Sequence, residues 1–215
     1  LQDYLSGLYC AEPGYRVTDF LVTDPALASV LGGAALIPNT EETVFVSESD
    51  ESLDLCLYLD RELLARLEDE NPIEQLRASR IRDVWTVLEG ISHFNYLVWS
   101  ARQDRKVTLM ELEIQAEVDK FVSTWMLAQR QTGCDFAHLL HGWLFEEISF
   151  NPALDSSQRE RYQLANSYAG RFCHGLRRRL HGDSEPVLRE LRRFYRLTQT
   201  EKISHIHSQA YAGSA

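Results

Sequence analysis

No two cysteines in this 215-residue chain stand at a CxxC or zinc-finger spacing. Cys10, Cys56, Cys134 and Cys173 are scattered, which excludes a disulfide scaffold and a small zinc module and makes free, buried thiols the expectation. GxGxxG, GxxxxGK[ST] and GxSxG are missing too, so neither a phosphate-cradling glycine loop nor a hydrolase elbow has support. The longest apolar run, Ala26 to Ile37, is broken by Ser29 and by Gly32-Gly33, and it falls short of the ~18 residues of a membrane span. No signal-peptide pattern is visible and no internal repeat recurs at solenoid periods, so a soluble cytoplasmic protein without a membrane partner is expected.

What is present is ordinary for a globular chain: 44% hydrophobic and 25% charged residues exclude a disordered or collagen-like polymer. A chain of this length buries roughly 70% of the surface its unfolded form exposes, so it folds without a metal or disulfide staple. Any bound metal would therefore serve function. The net charge of -10 is unevenly spread. Residues 1–75 hold 16 acidic against 3 basic side chains, whereas residues 159–196 hold 10 arginines against 4 acids. An acidic front facing a basic back within one fold is the expectation, since complementary patches lower the protein's overall field.

Periodicity divides the chain into an α/β subregion over residues 1–70 and a helical body over 71–215, joined as one unit. Val17–Val22 and Thr43–Ser47 are β-branched and aromatic runs bounded by polar residues, and each predicts a strand. In Ser52–Leu59 the residues Leu53, Leu55, Leu57 and Leu59 alternate with polar or smaller ones, which puts all four leucines on one strand face. Asp50 and Glu51 lie in the hairpin link. A short helix is predicted over Pro25–Leu31. From Asp60 onward the pattern is helical: Asp60 caps Arg61–Asp69, and Asn71-Pro72 opens a long helix to Arg102. A capping box, Thr108 with Glu111, opens another to Gln131, closed by Gly133. Further helices are predicted over Phe136–Ile148, from Asp155 to Leu180, from Ser184 to Leu197, and from Thr200. The sequence therefore predicts an α+β protein, a sheet of about three strands packed on a bundle of about seven helices.

Three side-chain groups could carry chemistry. On the long helix, Arg82, Thr86, Glu89, His93 and Ser100 fall on one stripe about 60° wide at 100° per residue, and almost everything else is apolar. A helix greasy around most of its circumference is buried, so this stripe is either a solvent seam or an interior polar site. Glu113 and Glu117 form a like-charged i, i+4 pair on the following helix, stable only beside a cation or solvent. Glu89, His93, Glu113 and Glu117 are thus candidate ligands for a divalent metal ion, or acid/base groups. Counted about the Gln103–Val107 turn, the two pairs are offset by about 12 Å at a 1.5 Å rise per residue, so a further helix would be needed to complete either pair. His138 and His141, at i, i+3, form a weaker metal pair with no third ligand at helical spacing. Arg189, Arg192, Arg193 and Arg196 line one helix face and could meet a polyanion, although the acidic net charge disfavours nucleic acid.

The leading expectation is a non-catalytic interaction or regulatory protein, with a protein partner or self-association as a homodimer. A metal-dependent enzyme built on the Glu/His helices is the alternative, and nucleic-acid binding through the arginine-rich helices is a third reading.

Overall fold

The computed structural model describes residues 1–33, 36–49, 52–68, 71–131, 135–177 and 184–212. Its sheet is a hairpin with one short addition. Strands β2 (Glu42–Glu48) and β3 (Leu53–Leu59) pair antiparallel with Val44 opposite Leu57, and β1 (Leu21–Val22) runs parallel to β3 on its other side. The strand expected from Val17 is only these two residues. Val17–Phe20 forms a 3-10 turn instead, because the Val17 N–H donates to Gln2 Oε1 at 3.0 Å and the Phe20 ring packs on Phe94 with centroids 5.2 Å apart. Tertiary partners thus take the groups a longer strand would have used. Leu57 and Leu59 are buried, Leu55 packs against them, and Leu53 is half-covered at the outer end. Tyr58 on the opposite face is buried as well.

Among the described residues there are nine α-helices and a three-stranded sheet, so the fold is α+β with a helical bundle. The first helix, α1 (Gln2–Tyr9), lies outside the sequence expectation; Leu5, Leu8 and Tyr9 bury its inner face. Helix α2 (Pro25–Gly32) starts at Asp24, whose side chain accepts the Ala26 N–H at 2.8 Å, and α3 (Arg61–Leu67) is capped by Asp60.

The long helix α4 spans Ile81–Ala101, not Pro72–Arg102. Asn71 Oδ1 accepts the Ile73 N–H at 3.1 Å in a local turn, and Gln131, beyond the end of the next helix, pins the segment from Pro72 to Leu76. The Gln131 amide accepts from Leu76 N at 2.6 Å and donates to the carbonyls of Pro72 and Ile73 at 3.0 Å each. A side chain 55 residues away therefore overrides the local start signal.

Helix α5 (Leu109–Arg130) is capped by Thr108, as expected. Glu111 does not complete the box, however. Its carboxylate takes Arg105 at 2.6 Å, the Tyr96 hydroxyl and the Gln199 N–H. Gly133 and Cys134 lie outside the described residues. Residues 135–139 form a 3-10 turn, which shortens the next helix, α6, to Leu140–Phe145. Helices α7 (Ser156–Arg177), α8 (Ser184–Arg196) and α9 (Gln199–Ala212) complete the chain; the expected helix end at Leu180 lies outside the described residues. The last helix opens at Thr198 rather than Thr200, since Glu201 accepts both the Thr198 N–H and hydroxyl.

Helices α4 and α5 form an antiparallel hairpin, α7 packs on α5, α9 packs on α7, and the sheet lies against α4. The thiols differ from expectation: Cys173 is buried, Cys56 is half-buried and Cys10 is exposed. Among the described residues no helix is long and apolar enough to cross a membrane.

Candidate metal centre

The polar stripe of α4 is buried at His93 and Ser100, half-buried at Thr86 and Glu89, and exposed at Arg82. His93 is only 8% exposed and lies between β2 and α5, with Nδ1 3.6 Å from Glu42 Oε1 and Nε2 3.7 Å from Glu113 Oε2. Both separations exceed a hydrogen bond. One donor atom from each of Glu89, His93 and Glu113 lies within 4.8 Å of the others. Two ligands at ~2.1 Å from a common ion stand at most ~4.2 Å apart, so this trio is within about an ångström of coordinating distance.

The expected 12 Å offset does not exist. Trp85 Nε1 donates to Thr124 Oγ1 at 3.0 Å, Ser92 Oγ to Asp119 Oδ2 at 2.6 Å, and Tyr96 bonds Glu111. These three rungs set the hairpin register and bring Glu89 and His93 level with Glu113. Glu117 plays a different part. Its Oε1 takes Lys120 Nζ at 2.6 Å, while the same ammonium reaches Glu89 Oε2 at 3.0 Å, so Glu117 joins the site through Lys120.

Two contributors came from elements that helical spacing cannot reveal. Glu42 arrives from β2, and Arg161 from α7, its Nε 3.9 Å from Glu113 Oε1. The one sequence signal for Glu42 was Gly90, an isolated glycine inside a helical pattern, which marks a close approach. Together these groups line a pocket of about 580 Å³, shared with Trp85 and Tyr162. Five carboxylates line it, those of Glu42, Glu89, Glu113 and Glu117 inside and the exposed Glu147, and the permanent cations among the described residues are Lys120, Arg161 and the exposed Arg82.

Burial and charge divide the titrations. Burial pushes Glu42 up, more than His93 pulls it down, and it pushes Glu117 up in the same way despite Lys120. For Glu89 burial also acts upward, but the charges of Lys120 and His93 win and hold it low. Burial opposes protonation of His93, yet Glu113 and Glu42 outweigh it and hold the imidazole well above its ordinary value. Lys120 is likewise raised against burial, by Glu117 and Glu89. Even so, Glu42 Oε1, His93 Nε2, Glu117 Oε2 and Arg161 Nε are buried without any hydrogen-bond partner. Such orphans are costly, and here they converge on one space.

His138 and His141 do not converge. His138 is exposed with Nδ1 2.7 Å from the Asp135 carbonyl, and His141 places Nε2 3.1 Å from the Gly170 carbonyl on α7. Each ring therefore spends a nitrogen on a different backbone carbonyl. In the arginine row, Arg189, Arg193 and Arg196 are exposed and Arg192 is half-buried, and Arg192 and Arg196 reach the end of α1. Arg192 donates to Leu8 O, and Arg196 to the carbonyls of Tyr9 and Cys10, all at 3.2 Å. Acidic front and basic back thus meet through a helix C-terminus. Among the described residues none of these four arginines forms an ion pair with residues 1–75.

No protein-family model, no curated protein and no solved structure matches this chain.

Proposed function

We propose that the chain binds a divalent metal ion through Glu89, His93 and Glu113, with Glu42 alongside, and uses it on a small molecule held in the pocket. The observation that carries this reading is His93 itself, nine-tenths buried, its Nε2 without a hydrogen bond and its ring between the carboxylates of Glu42 and Glu113. In the metal-free site the proton that Glu42 and Glu113 hold on His93 supplies positive charge between them, and a divalent ion would bind by displacing it. One imidazole with several carboxylates suits Mn²⁺, Fe²⁺ or Zn²⁺ rather than a thiolate-seeking metal. In such a site the ion polarises a substrate oxygen or lowers the pKa of a bound water, and the open pocket leaves room for the molecule acted on. Calorimetric titration of metal-stripped protein with Mn²⁺ and Zn²⁺, with elemental analysis of the purified protein, tests the reading. Stoichiometric binding that His93→Ala and Glu113→Gln each abolish supports it; wild-type protein that takes up neither ion overturns it.

A second reading, a non-catalytic interaction protein that self-associates, draws support from α2, where Leu27, Val30 and Leu31 are 46%, 79% and 50% exposed. Sedimentation equilibrium of wild type against Val30→Glu distinguishes it: a dimer that the substitution splits favours association through α2, and a monomer removes it.

A further inference from the structure

We infer that the pocket takes a substrate carrying an oxyanion, a phosphate or carboxylate group, held by the guanidinium of Arg161 next to the metal position. The inference deepens the metal-enzyme reading and rests on it for the ion, but its own support is the state of Arg161. That side chain is 23% exposed, and among the described residues its guanidinium makes no hydrogen bond at all. Its one charged neighbour, Glu113 Oε1, stands 3.9 Å away, too far to satisfy a donor. A guanidinium stays charged at any pH a protein survives, so its donors remain open.

The group is also held in place. Arg161 Cζ lies 5.2 Å from the centroid of the Tyr162 ring, a cation–π arrangement that steadies the guanidinium at the pocket wall. Tyr162 lines the same pocket and brings a phenolic O–H, a further donor. At the mouth, two helical turns from Glu89, stands Arg82, exposed and without an ion pair among the described residues. Two open arginines and a phenol in a pocket otherwise rich in carboxylate are the donors an incoming anion requires. Guanidinium pairs bidentately with phosphate and carboxylate alike, so the two are one recognition chemistry. Glu113 connects the halves: Oε2 faces His93 and Oε1 faces Arg161, so an oxyanion beside the ion would also lie beside the guanidinium.

The test titrates the full chain with inorganic phosphate and, separately, with acetate, each with and without Mn²⁺, in wild type, Arg161→Gln and Arg161→Lys. Expected is that wild type binds at least one of the anions, that Arg161→Gln weakens it about tenfold or more, and that Arg161→Lys recovers part of the loss. Mn²⁺ affinity should stay equal or tighten in Arg161→Gln, because a positive charge beside Glu113 has gone. Phosphate bound in preference to acetate, or the reverse, identifies which oxyanion the site is shaped for. Wild type that binds neither anion overturns the inference and leaves the metal reading standing. Unchanged anion affinity in Arg161→Gln overturns it as well. So does a loss of Mn²⁺ binding in that variant, which would make Arg161 a positioning residue for Glu113. Protein that takes up no Mn²⁺ but binds anion through Arg161 upholds the oxyanion site and overturns the metal. If Arg161→Gln does not fold, Arg161→Lys decides: weaker anion binding at unchanged Mn²⁺ affinity upholds the inference, and anion binding equal to wild type overturns it.

Discussion

Gly90 and Glu42 face each other so closely that a methyl group on Gly90 would stand 2.9 Å from Glu42 Cγ and 3.1 Å from its Oε1. A glycine inside a helix costs about 1 kcal/mol relative to alanine, and here it lets the first residue of β2 bring its carboxylate to His93. Gly90→Ala regains that helix propensity but must move Glu42 and Leu57 Cδ1, itself 2.8 Å away. The two effects offset, so stability should change by no more than about 1–2 kcal/mol. Mn²⁺ affinity should fall, since Glu42 is displaced. A calorimetric titration showing wild-type affinity would mean that Glu42 contributes nothing to the ion.

Lys120 occupies part of the space a metal would neutralise. In Lys120→Met the half-buried carboxylates of Glu89 and Glu117 lose their partner, so metal-free protein should be less stable by roughly 1–3 kcal/mol. Mn²⁺ should restore more stability to this variant than it adds to wild type, because the ion replaces the missing charge. Thermal melts with and without Mn²⁺ measure the difference; equal metal-induced shifts would show that ion and ammonium do not share Glu89.

Leu57 stands at the centre of β3, fully buried between Val44 and Leu21 of the flanking strands. Leu57→Asp should cost roughly 3–5 kcal/mol or more, because it places an unpaired charge in the core, and should yield insoluble protein. Soluble protein with an unchanged melting temperature would contradict the strand register.

Lys202 is fully buried on α9, donating to Gln115 Oε1 and to the Phe194 carbonyl at 2.7 Å each. Burial pulls its pKa down to about 7, only partly countered by Glu111 and Asp119. Between pH 7 and its ordinary value of 10.5 the unfolded chain holds a proton that the folded chain has released, so stability rises with pH across that window. The slope is at most about 1.4 kcal/mol per pH unit. Urea unfolding of wild type and Lys202→Met at pH 7 and pH 9 should show the wild-type advantage growing with pH. A constant difference would mean Lys202 does not titrate in this range.

Arg192 and Arg196 bind carbonyls of α1, so their loss should destabilise rather than merely discharge a surface. Arg192→Ala with Arg196→Ala should cost about 1–3 kcal/mol, largely retained at high salt because hydrogen bonds and ring packing carry it. Unfolding at low and high ionic strength checks this; a cost that vanishes with salt would restore a long-range ion-pair account.

Most of the architecture followed from local pattern. Alternating leucines placed β3, Asp60 and Thr108 placed the starts of α3 and α5, and the narrow polar stripe of α4 singled out Glu89 and His93 inside a greasy helix. Those are properties of neighbouring residues on one element, and periods of two and 3.6 express them directly. What failed locally failed through long-range partners. Gln131 holds Pro72–Leu76 out of helix, Gln2 takes the Val17 amide, and hydrogen bonds from Trp85, Ser92 and Tyr96 set a hairpin register that counting from the turn misjudged. The site shows the same division. Helical spacing identified Glu89, His93 and Glu113, but Glu42 lies 47 positions before Glu89 and Arg161 lies 48 after Glu113. Only packing of the sheet and of α7 onto the α4–α5 pair brings them together, because burial sums over the whole core, whereas a sequence pattern records one element at a time.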